Sequence, residues 1–462
     1  MDGLQRRPIG FTKAATYFFT LLVLSALLAI PIPTPAQDSS AKSPDKPAPT
    51  VPLVAEINKI LPTWLNFSGE YRIRPEDHTA YNFVSGANDG FVLSRLRLNV
   101  EATPVSWFLI FVQAQDAEAM GIETSHVTSS IKDVFDLRQA YLEFHNKPGG
   151  WVRVRVGRQE LRFGAERLVG VSDWTNVTRV FDAARVTLGT PTAHVDFFTS
   201  AVVVDHPTSF DAHPGGLTFH GIYGSLSHVV PKATVEPYVY WKALPVVKSE
   251  EGLSGTESLF TYGFRLIGKL PSGFDFATEA ARQGGHLSTD SIAAWGGYGI
   301  LGYTPAKMFL KPRFSMQYDF ASGDKKLKDG VAGTFDQLYP SNHDVFGLLD
   351  LLGWRNIRQF RAGVEAKPFA KLALKFNYRD LHLATRHDGL YGSTGTVIVK
   401  APVGGALSTS IGNEADISFT SDIRKDIGIG AGYGHLFLGQ FLIQNSPGSS
   451  TSIAYSFVTI KF

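Results

Sequence analysis

The chain ends in the stretch Ser452-Ile-Ala-Tyr-Ser-Phe-Val-Thr-Ile-Lys-Phe462, which alternates with a period of two. One face of this stretch carries Ser452, Ala454, Ser456, Val458, Ile460 and Phe462. A half-apolar strand with an aromatic carboxy-terminal residue is typical of the last strand of an outer-membrane barrel. The stretch therefore predicts an all-β fold, a transmembrane antiparallel β-barrel with short periplasmic turns and long extracellular loops.

The other end of the chain predicts export. Arg6 and Arg7 precede an apolar run over residues 14–30, and prolines and small residues then lead to Ala36. This order of charged, apolar and small residues predicts a secretory signal peptide over residues 1–36. The alternative is a single membrane anchor, which the short apolar run and the prolines after it disfavour.

Composition supports a barrel over a set of soluble domains. The 462 residues include no cysteine, which excludes disulfides and thiol chemistry, and their 44 basic and 42 acidic residues give no support to a nucleic-acid partner. Residues 37–60 are rich in Ser, Pro, Lys and Asp and predict a disordered periplasmic lead-in. Residues 61–462 contain no apolar stretch of the ~20 residues that a membrane helix needs, so they predict a barrel that spans the membrane with strands.

Alternating segments of the length that a tilted membrane strand needs recur about 18 times. They lie near residues 67–74, 91–101, 107–116, 135–145, 151–158, 178–188, 193–204, 217–228, 234–243, 259–269, 274–283, 292–303, 308–320, 355–367, 372–383, 411–420, 425–435 and 451–462. Their connections alternate between short turns and long segments, as in barrels with both termini in the periplasm. The long, external segments are residues 75–90, 117–134, 159–177, 205–216, 245–258, 321–354 and 384–410.

A glycine run, Gly428-Ile-Gly-Ala-Gly-Tyr-Gly434, superficially resembles a dinucleotide-binding loop. Its glycines recur at every second residue, and no alternation of strand and helix surrounds it. The run therefore predicts one face of a strand, where missing side chains allow curvature or open space in the lumen.

Basic residues repeatedly fall on the strand face opposite the apolar one, which predicts that they point into the lumen. An arginine facing lipid would cost about 2 to 4 kcal/mol at the bilayer midplane. The residues with this inward parity are Arg72, Arg74, Arg95, Arg97, Arg153, Arg155, Arg185, Arg313, Arg361 and Arg379. Arg138 and Arg282 share a face with apolar neighbours, which a bulge or a position near a strand end would explain.

Acidic residues are predicted on the same inner face, so two interpretations of the arginines remain open. The predicted inward acids are Glu70, Glu101, Glu143, Glu236, Glu279, Glu365, Glu414 and Asp416. In one interpretation the charges neutralise each other in a water-filled interior. In the other, some arginines are unpaired and form a path for anions, because guanidinium groups bind carboxylates by paired hydrogen bonds and basic rings select anions in pores.

Several stretches resemble the alginate export family of outer-membrane barrels. They are Gly157-Arg-Gln-Glu-Leu-Arg-Phe-Gly164 with Glu166 to Leu168, Asp173-Trp174, Asn176, Arg179 and Phe181 to Arg185, then Phe335 to Pro340 with His343, Gly347, Asp350 and Gly353 to Asn356, and Gly412 to Asp416. The resemblance covers roughly residues 67–462. It implies a monomeric barrel whose basic lumen passes an anionic polysaccharide outward, without a cofactor or an energy source.

Residue by residue, the resemblance points to Arg74, Arg138, Arg155, Arg158 and Arg361 as lining the conduit. With the inward arginines, the predicted substrate-binding set is Arg72, Arg74, Arg95, Arg97, Arg138, Arg153, Arg155, Arg158, Arg185, Arg313, Arg361 and Arg379. No metal or catalytic residue is predicted. Every predicted periplasmic turn is short, so any gating falls to external loops such as 321–354. The expected partners are an anionic polysaccharide, outer-membrane lipid, the barrel-assembly machinery and periplasmic export components.

Three functions compete on the sequence alone. The first is a passive conduit for an acidic polysaccharide such as alginate. The second is a general or nutrient-uptake anion-selective porin. The third is a barrel enzyme, which is disfavoured because the sequence has no Gly-x-Ser-x-Gly and no His-Glu-x-x-His motif. His220 and His382 are accordingly predicted to be lumen or girdle residues, not general bases.

Overall fold

The computed structural model describes residues 52–147, 149–227 and 229–462, and these form a closed antiparallel β-barrel. The strands are β1 (Leu65–Thr79), β2 (Asp89–Val105), β3 (Phe108–Met120), β4 (Asp133–His145), β5 (Val152–Gln159), β6 (Phe181–Thr190), β7 (Ala193–Val202), β8 (Thr218–Ser227), β9 (Ala233–Lys248), β10 (Ser254–Lys269), β11 (Phe274–Leu287), β12 (Asp290–Tyr303), β13 (Arg313–Ala321), β14 (Val331–Ala332), β15 (Ile357–Phe369), β16 (Leu372–Leu383), β17 (Leu390–Tyr391), β18 (Val397–Val399), β19 (Ser410–Asp422), β20 (Ile427–Leu438) and β21 (Thr451–Lys461). Strands β17 and β18 form a separate hairpin, and β14 is a two-residue addition to the barrel sheet. The other eighteen strands build the wall, which confirms the predicted fold and strand number.

Closure depends on the two ends of the barrel domain. Strand β1 pairs with both β2 and β21, so that Glu70 lies opposite Lys461 and the sheet has no open edge there. The ring of Phe462 packs on Gly69, where any side chain on β1 would collide with it. The predicted closing strand therefore closes the barrel.

The end of the predicted disordered lead-in is folded. A helix spans Pro52–Ile60, and the side-chain amide of Asn58 bonds the backbone N–H and C=O of Phe67 at 2.8 and 2.7 Å. The pairing of β1 with β21 begins at Glu70, so the backbone groups of Phe67 have no partner on β21 and bond to Asn58 instead. This contact explains why the prediction of disorder is wrong for these residues. The predicted signal peptide, residues 1–36, and residues 37–51 lie outside the described residues.

Two connections differ from expectation. The external segment predicted at 245–258 is short, because β9 runs to Lys248 and β10 begins at Ser254. The β12–β13 turn is longer than predicted, since β13 begins only at Arg313 and Leu310 and Lys311 adopt positive φ values. Within the residues that the structure describes, no helix is long and apolar enough to cross a bilayer.

Side chains divide by parity as predicted. Leu142, Val156 and Phe264 are exposed on the outer face, which suits contact with lipid. His220 also faces outward and lies beside Trp241, with ring centroids 5.0 Å apart, as expected of a girdle residue. In the glycine run, the rings of Phe457 and Tyr455 lean over Gly430 and Gly432, which confirms a strand face without side chains.

We predict that detergent-solubilised protein will migrate faster on a denaturing gel when it is not boiled. A closed sheet has all its backbone hydrogen bonds satisfied internally and resists detergent until it is heated. The measurement compares boiled and unboiled samples of one preparation. Identical migration would contradict a closed barrel.

Candidate functional site

Two external loops fold into the barrel and meet inside it. They are the β5–β6 loop, residues 160–180, and the β13–β15 loop, residues 322–356, and together they are called the constriction. Val169 and Tyr339 form a parallel β-bridge, with a 2.8 Å hydrogen bond from Gly170 N–H to the Tyr339 carbonyl. The rings of Trp174 and His343 stack across the two loops with centroids 3.8 Å apart.

The apolar core of the protein lies inside the barrel because of these loops. Phe163 from the first loop and Phe335 from the second are buried against wall residues such as Phe198. Trp354 is 1% exposed and donates its indole N–H to the carbonyl of Phe320 at 3.1 Å. The constriction is thus packed like a protein interior.

Arginines of β1 and β2 hold the β5–β6 loop by its backbone. Arg72 donates to the carbonyls of Asp173, Trp174 and Thr175 at 3.0 to 3.1 Å. Arg74 donates to the Trp174 carbonyl and lies over the Trp174 ring, and Arg95 donates to the carbonyl of Asp173 at 3.1 Å. These three arginines are 7%, 3% and 2% exposed, so they anchor the loop and leave little surface open to the lumen.

Two further arginines bind loop side chains. Arg97 contacts the Asp173 carboxylate at 3.0 Å and Arg138 contacts the Glu160 carboxylate at 2.6 Å. Arg138 points inward because the β3–β4 pairing skips it, so that Leu137 and Gln139 bracket a bulge. The bulge explains why its parity in the sequence is misleading.

Carboxylates fix the β13–β15 loop in the same way. Asp344 accepts hydrogen bonds from Arg379 at 2.6 Å and Lys375 at 2.7 Å. Arg379 is fully buried and also binds Asp416 of β19. In both loops, therefore, cationic side chains of the wall bind acceptors of the loop, which are mainly backbone carbonyls in the first loop and the Asp344 carboxylate in the second.

The loop aspartates remain ionised. Burial alone would raise the pKa of Asp173, but the charges of Arg95, Arg97 and Arg72 outweigh it and hold that pKa at about 2. Burial is likewise outweighed at Asp344, where Arg379 and Lys375 hold the pKa well below its usual range. The stabilisation from Asp173 is therefore complete above about pH 4, the ordinary aspartate pKa, and is lost as the pH falls toward 2.

Three arginines of the predicted set form ion pairs on the wall. Their partners are Glu143 for Arg155, Asp196 for Arg185 at 2.8 Å, and Asp275 for Arg313 at 2.6 Å. Each remains partly exposed, with 17% to 25% of the side chain accessible. For these three arginines, the structure favours the interpretation in which lumen charges neutralise each other.

Arg158 does not line the lumen. It shares the outward face of β5 with Val156, and it pairs with Asp182 at 2.9 Å and with the backbone of the β7–β8 loop near the external rim. The resemblance-based assignment of Arg158 to the conduit is wrong because strand parity turns it away. Arg282 is also outward and exposed, between Tyr262 and Trp295, as its parity indicates.

Arg153 and Arg361 stand apart from the other predicted residues. Across the described residues, neither forms an ion pair or a side-chain hydrogen bond, and Nε of Arg361 is buried without a partner. Arg153 follows the inward parity of Arg155 on β5. Arg361 lies on β15 opposite Gln317 and Arg379. These two cations are thus left unneutralised.

A cavity of about 900 Å³ lies on the side of the constriction that faces the short turns. Its lining includes Arg72, Asp173, Trp174 and His343 from the constriction and its anchor. Glu70 and Lys461 at the barrel seam line it as well. The constriction and this cavity form one continuous site.

A profile of the alginate export family matches residues 63–456. The chain belongs to the alginate export family. Family and fold together identify an outer-membrane channel. The two loops of the constriction contain most of the stretches in which the sequence resembles this family. No protein among the curated sequences matches the chain.

Solved barrels have a similar fold. OpdQ of Pseudomonas aeruginosa has a TM-score of 0.60 at 9% identity over 86% of this chain and 98% of its own. OpdO of the same organism has a TM-score of 0.58 at 10% identity over 88% and 99%. OccAB2 of Acinetobacter baumannii has a TM-score of 0.57 at 11% identity over 86% and 98%. At these identities the likeness establishes the fold alone.

The arginine pattern in the sequence does not indicate the residues that the arginines bind. Asp173 and Asp344 lie in loops without periodicity, so strand parity gives no signal for them. Asp173 does fall within the stretches that resemble the alginate export family, which is the signal that would have indicated a role. The role of Asp344, and the wall residues that each aspartate binds, become evident only from the three-dimensional structure.

We predict that Asp344→Asn will loosen the constriction and raise single-channel conductance in planar bilayers. The substitution weakens two charged hydrogen bonds, each worth about 1.5 to 3 kcal/mol at most, while Arg379 keeps Asp416. The matched control is Asp422→Asn, since Asp422 lines the cavity outside the constriction. Equal conductance in the two variants would contradict this role.

Proposed function

We propose that this outer-membrane channel conducts an acidic polysaccharide, an alginate-like uronate polymer, out of the periplasm. The observation that supports it most is the pair of unneutralised cations, Arg153 and Arg361, among predicted substrate-binding arginines whose other members bind carboxylates or loop carbonyls. A guanidinium group holds a carboxylate by two parallel hydrogen bonds, which suits the carboxylate of each uronate unit. Membership of the alginate export family supports the same substrate class.

Separate weak contacts suit a moving polymer better than one deep site. Conduction requires binding that is weak enough for the substrate to leave. Arg153 on β5 and Arg361 on β15 lie on different sides of the wall, so a chain that passes both would be handed from one to the other. Partly exposed, ion-paired Arg155 and Arg313 add exchangeable contacts on β5 and on β13, the neighbour of β15.

A polymer that crosses the barrel has to pass the constriction. The β5–β6 and β13–β15 loops join through few backbone bonds to each other but through many charged bonds to the wall. We infer that gating separates the loops from one another along the Val169–Tyr339 bridge. Passage then needs no cofactor and no energy source in this chain.

The remaining partners belong to the same proposal. The channel acts as a monomer in outer-membrane lipid, is inserted by the barrel-assembly machinery and receives its polymer from periplasmic export components. A signal peptide over residues 1–36 accounts for its export. The alternative function, a nutrient-uptake or general anion-selective porin, shares the barrel and differs in substrate.

We predict anion selectivity in planar bilayers under a salt gradient. Unpaired inward arginines raise the local concentration of anions and disfavour cations. The reversal potential measures this preference. A reversal potential on the cation side would show that inward acids dominate the field and would remove the arginine path.

We also predict that oligo-uronates will block the channel current at concentrations where neutral oligosaccharides of equal length do not. Arg153→Gln and Arg361→Gln should each weaken the block, by at most about 1.5 to 3 kcal/mol and less in a wet lumen. The matched control is Arg282→Gln, because Arg282 is an exposed arginine on the outer face. Equal block by acidic and neutral sugars would exclude the polysaccharide conduit and leave the uptake porin.

A further inference from the structure

Four lysines converge on the cavity at the periplasmic end of the barrel. Lys367 lies near the end of β15, Lys371 in the β15–β16 turn, Lys425 in the β19–β20 turn and Lys461 at the end of β21. All four side chains are exposed and line the same cavity of about 900 Å³. These residues are called the lysine cluster.

The lysine cluster is largely without counter-charge. Lys371 donates to the carbonyl of Ile423 at 3.2 Å, while Lys367, Lys425 and Lys461 form no ion pair or side-chain hydrogen bond with any described residue. Acids deeper in the cavity are bound to arginines instead. Glu70 pairs with Arg95 at 2.8 Å, Glu166 with Arg162 at 2.9 Å, and Asp173 with Arg95 and Arg97.

Near the mouth, the acids are too few to neutralise the cluster. Asp426 pairs with Arg424 at 3.3 Å. Asp422 is the other acid at this end of the cavity, and four lysine charges face it. The mouth of the cavity therefore carries a net positive charge.

We propose that the lysine cluster is the entry site that captures the anionic polymer from the periplasm before it reaches the constriction. This inference rests on the proposed function, because it takes the uronate polymer as the substrate. A lysine ammonium is a hydrated point charge on a flexible stem, so it attracts carboxylates without fixing their orientation. Such groups suit capture, whereas the planar guanidinium groups deeper in the lumen suit alignment.

The location of the cluster determines which kinetic step it affects. Charges at the mouth of a cleft raise the local concentration of an oppositely charged ligand and increase its rate of arrival. They have little effect on how long the polymer stays once it has reached Arg361 and Arg153. The cluster is also on one side of the membrane, so it acts on polymer that arrives from that side.

The test measures block by a defined oligo-uronate that is added to one side of the bilayer at a time. The variant carries Lys367→Gln, Lys371→Gln, Lys425→Gln and Lys461→Gln. The matched control carries Lys147→Gln, Lys232→Gln, Lys269→Gln and Lys307→Gln, which removes the same charge from exposed lysines at the same end of the barrel but outside the cavity. Since the chain has no cysteine, Ala306→Cys in the β12–β13 turn provides a thiol that identifies the periplasmic side by labelling.

We expect the lysine-cluster variant to slow the association rate of periplasmically added oligo-uronate roughly tenfold relative to the control, with dwell times unchanged. The difference should shrink at high ionic strength, where exposed charges are screened. Equal association rates in variant and control, or equal slowing from both sides, would overturn the entry site alone. Absence of block in the unmodified protein would overturn the proposed function together with it.

Discussion

The structure depends on the need of every backbone amide in a bilayer for a hydrogen-bond partner within the protein. Strands satisfy this need only if the sheet closes, and the pairing of β1 with β21 closes it. In a closed barrel, successive side chains of a strand alternate between the lipid-facing and the lumen-facing side. Because lipid excludes charge, most charged residues of the strands face the lumen.

An interior rich in charge has a second consequence. Buried guanidinium groups need acceptors, and the carbonyls of residues 173–175 provide them for Arg72, Arg74 and Arg95. The inward-folded loops are thus part of the solution to burying arginine in a barrel, as well as an obstacle in the channel. Trp174, whose carbonyl accepts bonds from Arg72 and Arg74, also stacks its ring on His343 and so joins the two loops.

Cations of the lumen therefore have different tasks according to their surroundings. Deeply buried arginines such as Arg95 and Arg379 hold the constriction through ion pairs with carboxylates. Unpaired Arg153 and Arg361 remain available to a carboxylate that passes. Exposed lysines around Lys425 meet the solvent first. This order, from hydrated lysine at the mouth to packed arginine at the constriction, is consistent with an anion path whose contacts become more specific with depth.

The sequence by itself determined the barrel, its strand number and the inward parity of most arginines. This is possible because polar and apolar residues alternate along each strand, and only the apolar face can contact lipid. It did not determine which arginines are free. Arg158 turns outward with its strand, Arg138 turns inward through a bulge, and Arg72 to Arg97 are covered by a loop distant in the chain. The lysine cluster combines residues from strand ends and turns between β15 and β21, which no local pattern links. Pairing, burial and shared cavities depend on which segments meet in space, and only the tertiary structure decides that.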